Sequence, residues 1–158
     1  MTAPTSSTHD LPKPGLAVGA FLPYLELQSA TGRSVQLRSP GRSSTVLVRI
    51  HHARCAECLA YLEELSRAVS DFAAWDGRVV VVVPGTMADA ERAKAGPARP
   101  FTVLADEEHQ VPLDGAAVVI ADRYDQIYHL AEAGEGHALP SPVDIEDWLR
   151  YIATQCPE

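Results

Sequence analysis

One stretch of the chain decides its fold, namely residues 45–65, which read TVLVRIHHARCAECLAYLEEL. Its first six residues, Thr45 to Ile50, are β-branched and almost continuously apolar, which is typical of a strand buried on both faces. Leucines then recur at three- and four-residue steps with acidic residues on the other side, and this spacing predicts an amphipathic helix. The pattern therefore places Cys55 and Cys58 where a buried strand passes into a helix.

Outward from this stretch the chain continues to alternate between strands and helices. Apolar runs, turn residues and helix-capping signals define the elements. The first half of the chain is predicted to form a hairpin over residues 21–37 that turns at 30–33, a strand over 45–50, a helix from Cys55 to a left-handed Gly77, and a strand over 78–83. The second half is predicted to form a helix capped by Thr86 and ended by Gly96-Pro97, a short strand over 101–104, a strand over 116–121 with a return arm over 126–130, and a helix capped by Ser141. This order predicts an α/β fold in which a mixed central β-sheet is flanked by helices and extended by an N-terminal β-hairpin.

Length and composition indicate one globular domain. The chain has 158 residues, enough for about one domain with its own core. Residues 1–18 are rich in Pro, Ser and Thr and predict a flexible N-terminal arm, which leaves residues 19–158 as the domain. Hydrophobic residues make up 46% and charged residues 22% of the chain, which excludes collagen-like, coiled-coil and wholly disordered proteins.

Charge and hydropathy exclude further classes. The net charge of -8 repels phosphate backbones, so we expect no nucleic-acid partner. The longest strongly apolar run, Val79 to Val83, is far shorter than the about 20 residues that cross a bilayer, so we expect no membrane partner. The N-terminus lacks the basic and apolar regions of a secretory signal, and we therefore expect a cytoplasmic protein.

The strongest chemical signal is the cysteine pair. The chain has three cysteines, Cys55, Cys58 and Cys156, too few for a disulfide framework, and a close pair in a reducing compartment indicates redox chemistry or metal binding. At the start of a helix, unpaired N–H groups and the helix dipole favour a thiolate. We predict that Cys55 is the exposed attacking nucleophile and that Cys58, one turn inward, is the resolving thiol. His52 and Arg54 are predicted to tune the thiolate through their positive charge, and Cys156 is expected to be a mobile, exposed thiol.

With this pair in its setting, the chain resembles the thioredoxin-like superfamily and, within it, the redoxin branch. That branch includes thioredoxin-like disulfide reductases and the peroxiredoxins, the AhpC/TSA-related proteins. The resemblance covers about residue 19 to the C-terminus and is carried by TVLVRI, the CAEC pair, VVVVV, FTVLADEEHQV and AAVVIADRYDQIYHL. It implies a thioredoxin-like fold and a thiol–disulfide oxidoreductase that acts in cell redox homeostasis.

Several positions depart from the patterns of these families. Thioredoxins carry a tryptophan where Arg54 stands and, opposite the cysteines, a cis-proline where the alignment places Ala116, so the resemblance implies that Ala116 faces the substrate. Peroxiredoxins carry Pro and Thr or Ser where Val48 and His52 stand, and an arginine where Ala116 stands. Because peroxide chemistry needs donors that polarise the O–O bond, we rank dithiol–disulfide exchange above a peroxiredoxin mechanism.

Two other functions stay open. One is a peroxiredoxin-like thiol peroxidase, an antioxidant with an atypical site, in which peroxide oxidises Cys55 to a sulfenic acid that Cys58 resolves. The other is a non-enzymatic redox sensor or metal-binding module, because His51, His52 and the two cysteines offer ligands that suit zinc or copper. Adjacent histidines on an extended segment point to opposite faces, however, and we assign no metal ligand.

The expected partners follow from this chemistry. They are a protein or small-molecule disulfide or peroxide substrate and a thioredoxin- or glutathione-type electron donor. No Gly-rich phosphate loop follows any strand, so we expect no organic cofactor. The acidic run Asp106 to Glu108 is expected to form a solvated loop.

Overall fold

The structure is a computed structural model that describes residues 15–38, 41–95, 99–134 and 138–155. Strands and helices alternate through these residues, as the sequence predicts. The elements are β1 Glu26–Ser29, β2 Ser34–Gln36, β3 Ser44–Arg49, α1 Ala56–Ala73, β4 Gly77–Val83, α2 Met87–Lys94, β5 Thr102–Ala105, β6 Ala117–Ala121, β7 Ile127–Glu132 and α3 Pro142–Thr154.

All these strands belong to one sheet, in the order β2-β1-β5-β4-β3-β6-β7. Strands β3, β4 and β5 are parallel, while β1, β2, β6 and β7 pair antiparallel with their neighbours. Parallel neighbours need a crossover connection, and α1 and α2 supply it. The predicted mixed sheet flanked by helices, with an N-terminal hairpin formed by β1 and β2, is therefore confirmed.

The core has two layers, one on each face of the sheet. Alternate residues of the central strands face opposite sides, so that Val46 and Val48 belong to one layer and Leu47 to the other. Every buried residue of the three helices packs in the first layer. The second layer is completed by residues from the N-terminal segment, the hairpin and the loop after β5, namely Leu22, Leu27, Leu37, Val111 and Leu113. The sheet is thus buried on both faces, although the described helices cover only one of them.

The junction between α1 and β4 differs from the prediction. Gly77 is not a left-handed helix cap, because the positive φ of 56° belongs to Asp76 and Gly77 is already the first residue of β4. A Cβ atom at Gly77 would lie 2.6 Å from Cδ1 of Leu149. Glycine is therefore needed here for the close approach of α3 rather than for ending α1.

The two shorter helices begin with the capping boxes that the sequence predicts. Thr86 accepts a hydrogen bond from the N–H of Asp89, and the Asp89 carboxylate accepts one from the N–H of Thr86. Ser141 and Asp144 make the same pair of bonds at the start of α3. The hydrogen bonds from Thr86 hold the pKa of Asp89 below its ordinary value.

Some predictions fall on residues outside the described ranges. These are most of the arm over residues 1–18, the Gly96-Pro97 end of the second helix, and Cys156. Within the described ranges, none of the helices combines the length and apolar character that a membrane-spanning segment needs.

Candidate active site

The two cysteines lie where β3 leaves the sheet and α1 begins. The N–H of Ile50 still donates to the carbonyl of Val82 in the neighbouring strand, at 3.2 Å. The chain then turns, and the N–H of Cys55 donates to the carbonyl of His52 at 3.2 Å. This turn places Cys55 at the N-cap position of α1 and Cys58 in its first turn, as the sequence predicts.

Cys55 caps the helix with its sulfur. Its backbone is extended, and its Sγ atom accepts a hydrogen bond from the N–H of Cys58 at 3.4 Å. An N-cap side chain normally supplies an oxygen for one of the unpaired N–H groups at a helix start, and here the sulfur has that role. Cys55 is partly exposed to solvent.

Cys58 is the buried member of the pair, with only 3% of its surface exposed. Its Sγ atom accepts a hydrogen bond from the N–H of His51 at 3.4 Å. Burial raises the pKa of Cys58 to about 11, against the opposing effect of the His51 N–H, and the neighbouring Cys55 and Glu57 raise it further. At neutral pH, Cys58 is therefore a protonated thiol that must lose its proton before it can attack.

The structure separates the two adjacent histidines. His51 Nδ1 lies 3.9 Å from the Cys58 sulfur, whereas the exposed His52 accepts a hydrogen bond from the N–H of Arg54 at 3.2 Å through its own Nδ1. His51, which the sequence does not distinguish from its neighbour, is the histidine at the cysteine pair. His52 and Arg54 are exposed residues of the preceding turn, and their predicted tuning role stays a prediction.

A buried arginine supports His51 from the other face of the sheet. Arg49 is only 7% exposed, and its Nη1 donates to the carbonyl of Gly115 at 2.6 Å. Gly115 has a φ of 63°, and a Cβ atom there would lie 3.2 Å from His51 Nε2. Arg49 therefore fixes the backbone segment against which the His51 ring packs. Burial lowers the pKa of Arg49 below its ordinary value, while Asp106 and Asp114 oppose that effect.

Arg49 is the main residue that the sequence interpretation missed. It is the one charged residue within the apolar strand TVLVRI, and a charge inside a strand that is buried on both faces is the signal that indicates it. Its Nε atom has no hydrogen-bond partner among the residues that the structure describes. The predicted solvated loop is also wrong at Asp106, which is fully buried and accepts the N–H groups of Gln110 and Val111.

Ala116 is a buried residue, and its predicted role in facing the substrate stays a prediction. The residue has 0% exposure and packs in the same core layer as Cys58. The partly exposed residue at this point of the chain is the preceding Gly115. Within the described residues there is no cis peptide bond, so the structure offers no equivalent of the thioredoxin cis-proline.

Cys55 is partly exposed at the surface, and Cys58 is buried. Two surface cavities of about 680 and 520 Å³ lie elsewhere, and the described residues that line them do not include either cysteine. The first lies between β7 and α3, where His129 stacks on Trp148.

One protein family matches this chain. The AhpC/TSA family matches residues 18–123 of this chain, which include the cysteine pair and most of the sheet. No curated protein sequence matches the chain.

Solved structures share the fold at low sequence identity. A peroxiredoxin-like protein from Aquifex aeolicus is 13% identical over 89% of this chain and 90% of its own, with a TM-score of 0.76. The AhpC protein of Mycobacterium tuberculosis is 15% identical over 90% of this chain and 97% of its own, with a TM-score of 0.75. A protein from Chlorobium tepidum, provisionally assigned as the thiol:disulfide interchange protein DsbE, is 22% identical over 88% of this chain and 99% of its own, with a TM-score of 0.70. These similarities confirm the thioredoxin-like fold and leave the reaction open.

Proposed function

Because this chain belongs to the AhpC/TSA family, whose match includes both cysteines, we propose that it is a thiol–disulfide oxidoreductase that uses Cys55 and Cys58 as its redox pair. One observation carries the proposal. The sulfur of the partly exposed Cys55 caps the helix, and the sulfur of the buried Cys58 lies in its first turn, with the two sulfurs within 4.8 Å of each other. An attacking thiolate and a nearby protected thiol are what disulfide exchange requires.

The proposed reaction proceeds in two exchanges. The Cys55 thiolate attacks one sulfur of a substrate disulfide, the other substrate sulfur leaves as a thiolate, and a mixed disulfide forms. Cys58 then loses its proton and attacks the Cys55 sulfur. This second attack forms the disulfide between Cys55 and Cys58 and releases the remaining substrate sulfur as a thiol. A disulfide has its sulfurs about 2.05 Å apart, so the partly exposed Cys55 side chain must rotate toward Cys58.

His51 is the group proposed to take the proton from Cys58. The ring Nδ1 of His51 lies 3.9 Å from the Cys58 sulfur, and the backbone N–H of His51 donates a hydrogen bond to that sulfur. The unprotonated nitrogen of a neutral imidazole can accept a proton from a buried thiol that bulk water does not reach. Arg49 and Gly115 are positioning residues in this proposal, because they act on the reaction only through the His51 ring.

The proposed substrate is a disulfide in a protein. Cys55 is partly exposed and lines neither of the two described surface cavities, and the positions that would polarise a peroxide hold Val48, His52 and Ala116. We place the reaction in the cytoplasm, within cell redox homeostasis. A thioredoxin- or glutathione-type donor would return two electrons to the disulfide after each cycle.

Trapping of the mixed disulfide tests this proposal. When the Cys58→Ser variant is mixed with insulin, Cys55 is expected to form a stable mixed disulfide with it, because no second sulfur is present to release the substrate. The matched Cys55→Ser variant is expected to form no adduct and to reduce insulin at least about 100-fold more slowly than the wild type. Both variants are prepared with Cys156→Ser so that no other thiol reacts. Equal adduct formation by the two variants would contradict the assignment of roles.

Family membership favours a second candidate, a thiol peroxidase. The Cys55 thiolate would attack a hydroperoxide, release an alcohol or water and become a sulfenic acid. Cys58 would then attack the sulfenic sulfur, forming the disulfide and releasing water. Peroxide consumption faster than insulin reduction, and lost in Cys55→Ser, would favour this candidate over disulfide exchange.

A further inference from the structure

Three potential metal ligands converge at the start of α1. Ligand atoms of His51, Cys55 and Cys58 all lie within 4.8 Å of one another, and the distance from His51 Nδ1 to the Cys58 sulfur is 3.9 Å. Zinc binds sulfur at about 2.3 Å and nitrogen at about 2.0 Å, so tetrahedral ligands around it lie about 3.5 to 3.8 Å apart. Small side-chain rotations are sufficient to bring the three atoms to these separations.

We propose that the reduced protein binds one Zn²⁺ ion through Cys55, Cys58 and His51. Two thiolates and a neutral imidazole give the bound ion a net charge of zero. Cys58 lies in the apolar core layer beside Ile50 and Ala53, and an uncharged site is favoured in such surroundings. A monovalent ion such as Cu⁺ would leave a net negative charge there, and this favours the divalent ion.

His51 rather than His52 is the proposed ligand. The His51 ring is held on one side by Gly115, and its Nδ1 faces the cysteine pair. The exposed His52 uses its Nδ1 to accept the N–H of Arg54 and is not a member of the cluster. His52 therefore provides a matched control, being the same residue type one position further along the chain.

The proposed ion has an open coordination position. The residues that the structure describes supply three ligands and zinc prefers four, so a water molecule or a further ligand completes the shell. Partial exposure of Cys55 places that position toward solvent. The zinc-bound form would therefore remain accessible to small thiols and other soft ligands.

Zinc binding and disulfide formation exclude each other, because both use the sulfurs of Cys55 and Cys58. This step rests on the proposed function. When the two bound thiolates reduce a substrate disulfide, they lose two electrons, form the disulfide between Cys55 and Cys58 and release Zn²⁺. The substrate leaves as two thiolates. The disulfide form no longer offers the two thiolate ligands, and the ion would then have only His51.

Metal titration of the reduced, full-length protein tests the proposal. Zn²⁺ is titrated against a chromophoric chelator under anaerobic conditions, and Co²⁺ is used as a spectroscopic probe of sulfur coordination. The wild type is expected to bind one equivalent and to show a thiolate-to-cobalt absorption band. Cys55→Ser and Cys58→Ser are expected to lose affinity by more than about 100-fold, His51→Ala by about 10- to 100-fold, and His52→Ala by less than about threefold.

The outcomes separate this inference from the proposed function. Equal zinc affinity of wild type and His51→Ala, with both proteins folded by circular dichroism, would overturn the zinc site, and so would a weaker affinity in His52→Ala. Disulfide exchange is measured separately on the same preparations with insulin. A wild type that reduces insulin and does not bind zinc would overturn only the zinc inference. A wild type that binds zinc and does not reduce insulin would overturn only the proposed function.

Discussion

The N–H of Cys58 donates a hydrogen bond to the Sγ atom of Cys55 over 3.4 Å, so one cysteine of the pair caps the helix on which the other resides. The bond links the stability of α1 to the chemistry of the site, because the reacting sulfur is also the helix cap. When Cys55 forms a mixed disulfide, its sulfur becomes a weaker acceptor, and the start of α1 loses part of this interaction.

The double role of Cys55 predicts different effects for two substitutions. Cys55→Ala removes the cap and is expected to lower the free energy of unfolding by about 1 kcal/mol, whereas Cys55→Ser keeps an acceptor and is expected to stay within about 0.5 kcal/mol of the wild type. Both variants are expected to lose disulfide exchange. Urea unfolding under reducing conditions measures the difference, and equal stability of the two variants would show that the cap has no energetic role.

Burial of Cys58 predicts a pH-dependent stability. Its pKa of about 11 is higher than the 9.0 of an ordinary thiol, so the folded protein holds the proton more tightly than the unfolded chain. The resulting stabilisation is fully present below about pH 9 and is lost as the pH rises toward 11, by at most about 3 kcal/mol. The difference in unfolding free energy between the wild type and Cys58→Ala, measured under reducing conditions, is expected to shrink over this range. If the difference in unfolding free energy does not change with pH, burial does not raise the pKa of Cys58 in the folded protein.

Gly115 and Gly32 form a matched pair for testing the support of His51. Both have positive φ, 63° and 87°, but a Cβ atom at Gly115 would lie 3.2 Å from His51 Nε2, while one at Gly32 would meet nothing within 4 Å. Substitution by alanine is expected to cost about 1 to 2 kcal/mol of stability at either position. Only Gly115→Ala is expected to slow closure of the disulfide between Cys55 and Cys58, by about tenfold. Rapid-quench thiol labelling measures the closure rate, and an equal rate in both variants would exclude Gly115 as a positioning residue.

The buried Arg49 predicts a loss of stability on substitution. Arg49→Met leaves the Gly115 carbonyl without its donor and removes the cation near Asp106, which we expect to cost about 1 to 3 kcal/mol. The opposing effect is that the variant no longer buries a charged group whose Nε has no hydrogen-bond partner among the described residues, and this removes a desolvation penalty. Urea unfolding at neutral pH decides between them. An Arg49→Met protein as stable as the wild type would show that the cost of burying the charge equals or exceeds the value of its contacts.

Most of the fold can be predicted from local patterns in the sequence. The apolar run TVLVRI predicts β3 within one residue at each end, and the capping boxes at Thr86 and Ser141 predict the starts of α2 and α3. Local patterns carry less information where distant segments meet. Gly77 has the position of a helix cap in the sequence, but its contact with Leu149 of α3 explains it better.

The candidate site is predictable only in part, for the same reason. The spacing of Cys55 and Cys58 predicts which sulfur is exposed and which is buried. His51 rather than His52 lies beside Cys58 because of the backbone path of the turn between β3 and α1. That path cannot be predicted from a local sequence pattern. Ala116 and Arg49 are likewise placed by strand pairing, since residue 49 pairs with residue 117 across β3 and β6.

In the proposed reaction, Cys55 and Cys58 exchange electrons as one pair. Mass spectrometry of thiol labelling, on protein equilibrated in glutathione buffers of graded reduction potential, tests it most directly. Both residues are expected to lose their label together in a single two-electron transition, and the oxidised protein is expected to carry a disulfide between them. Independent loss of the two labels, or glutathione bound to Cys55 while Cys58 stays fully labelled, would contradict it.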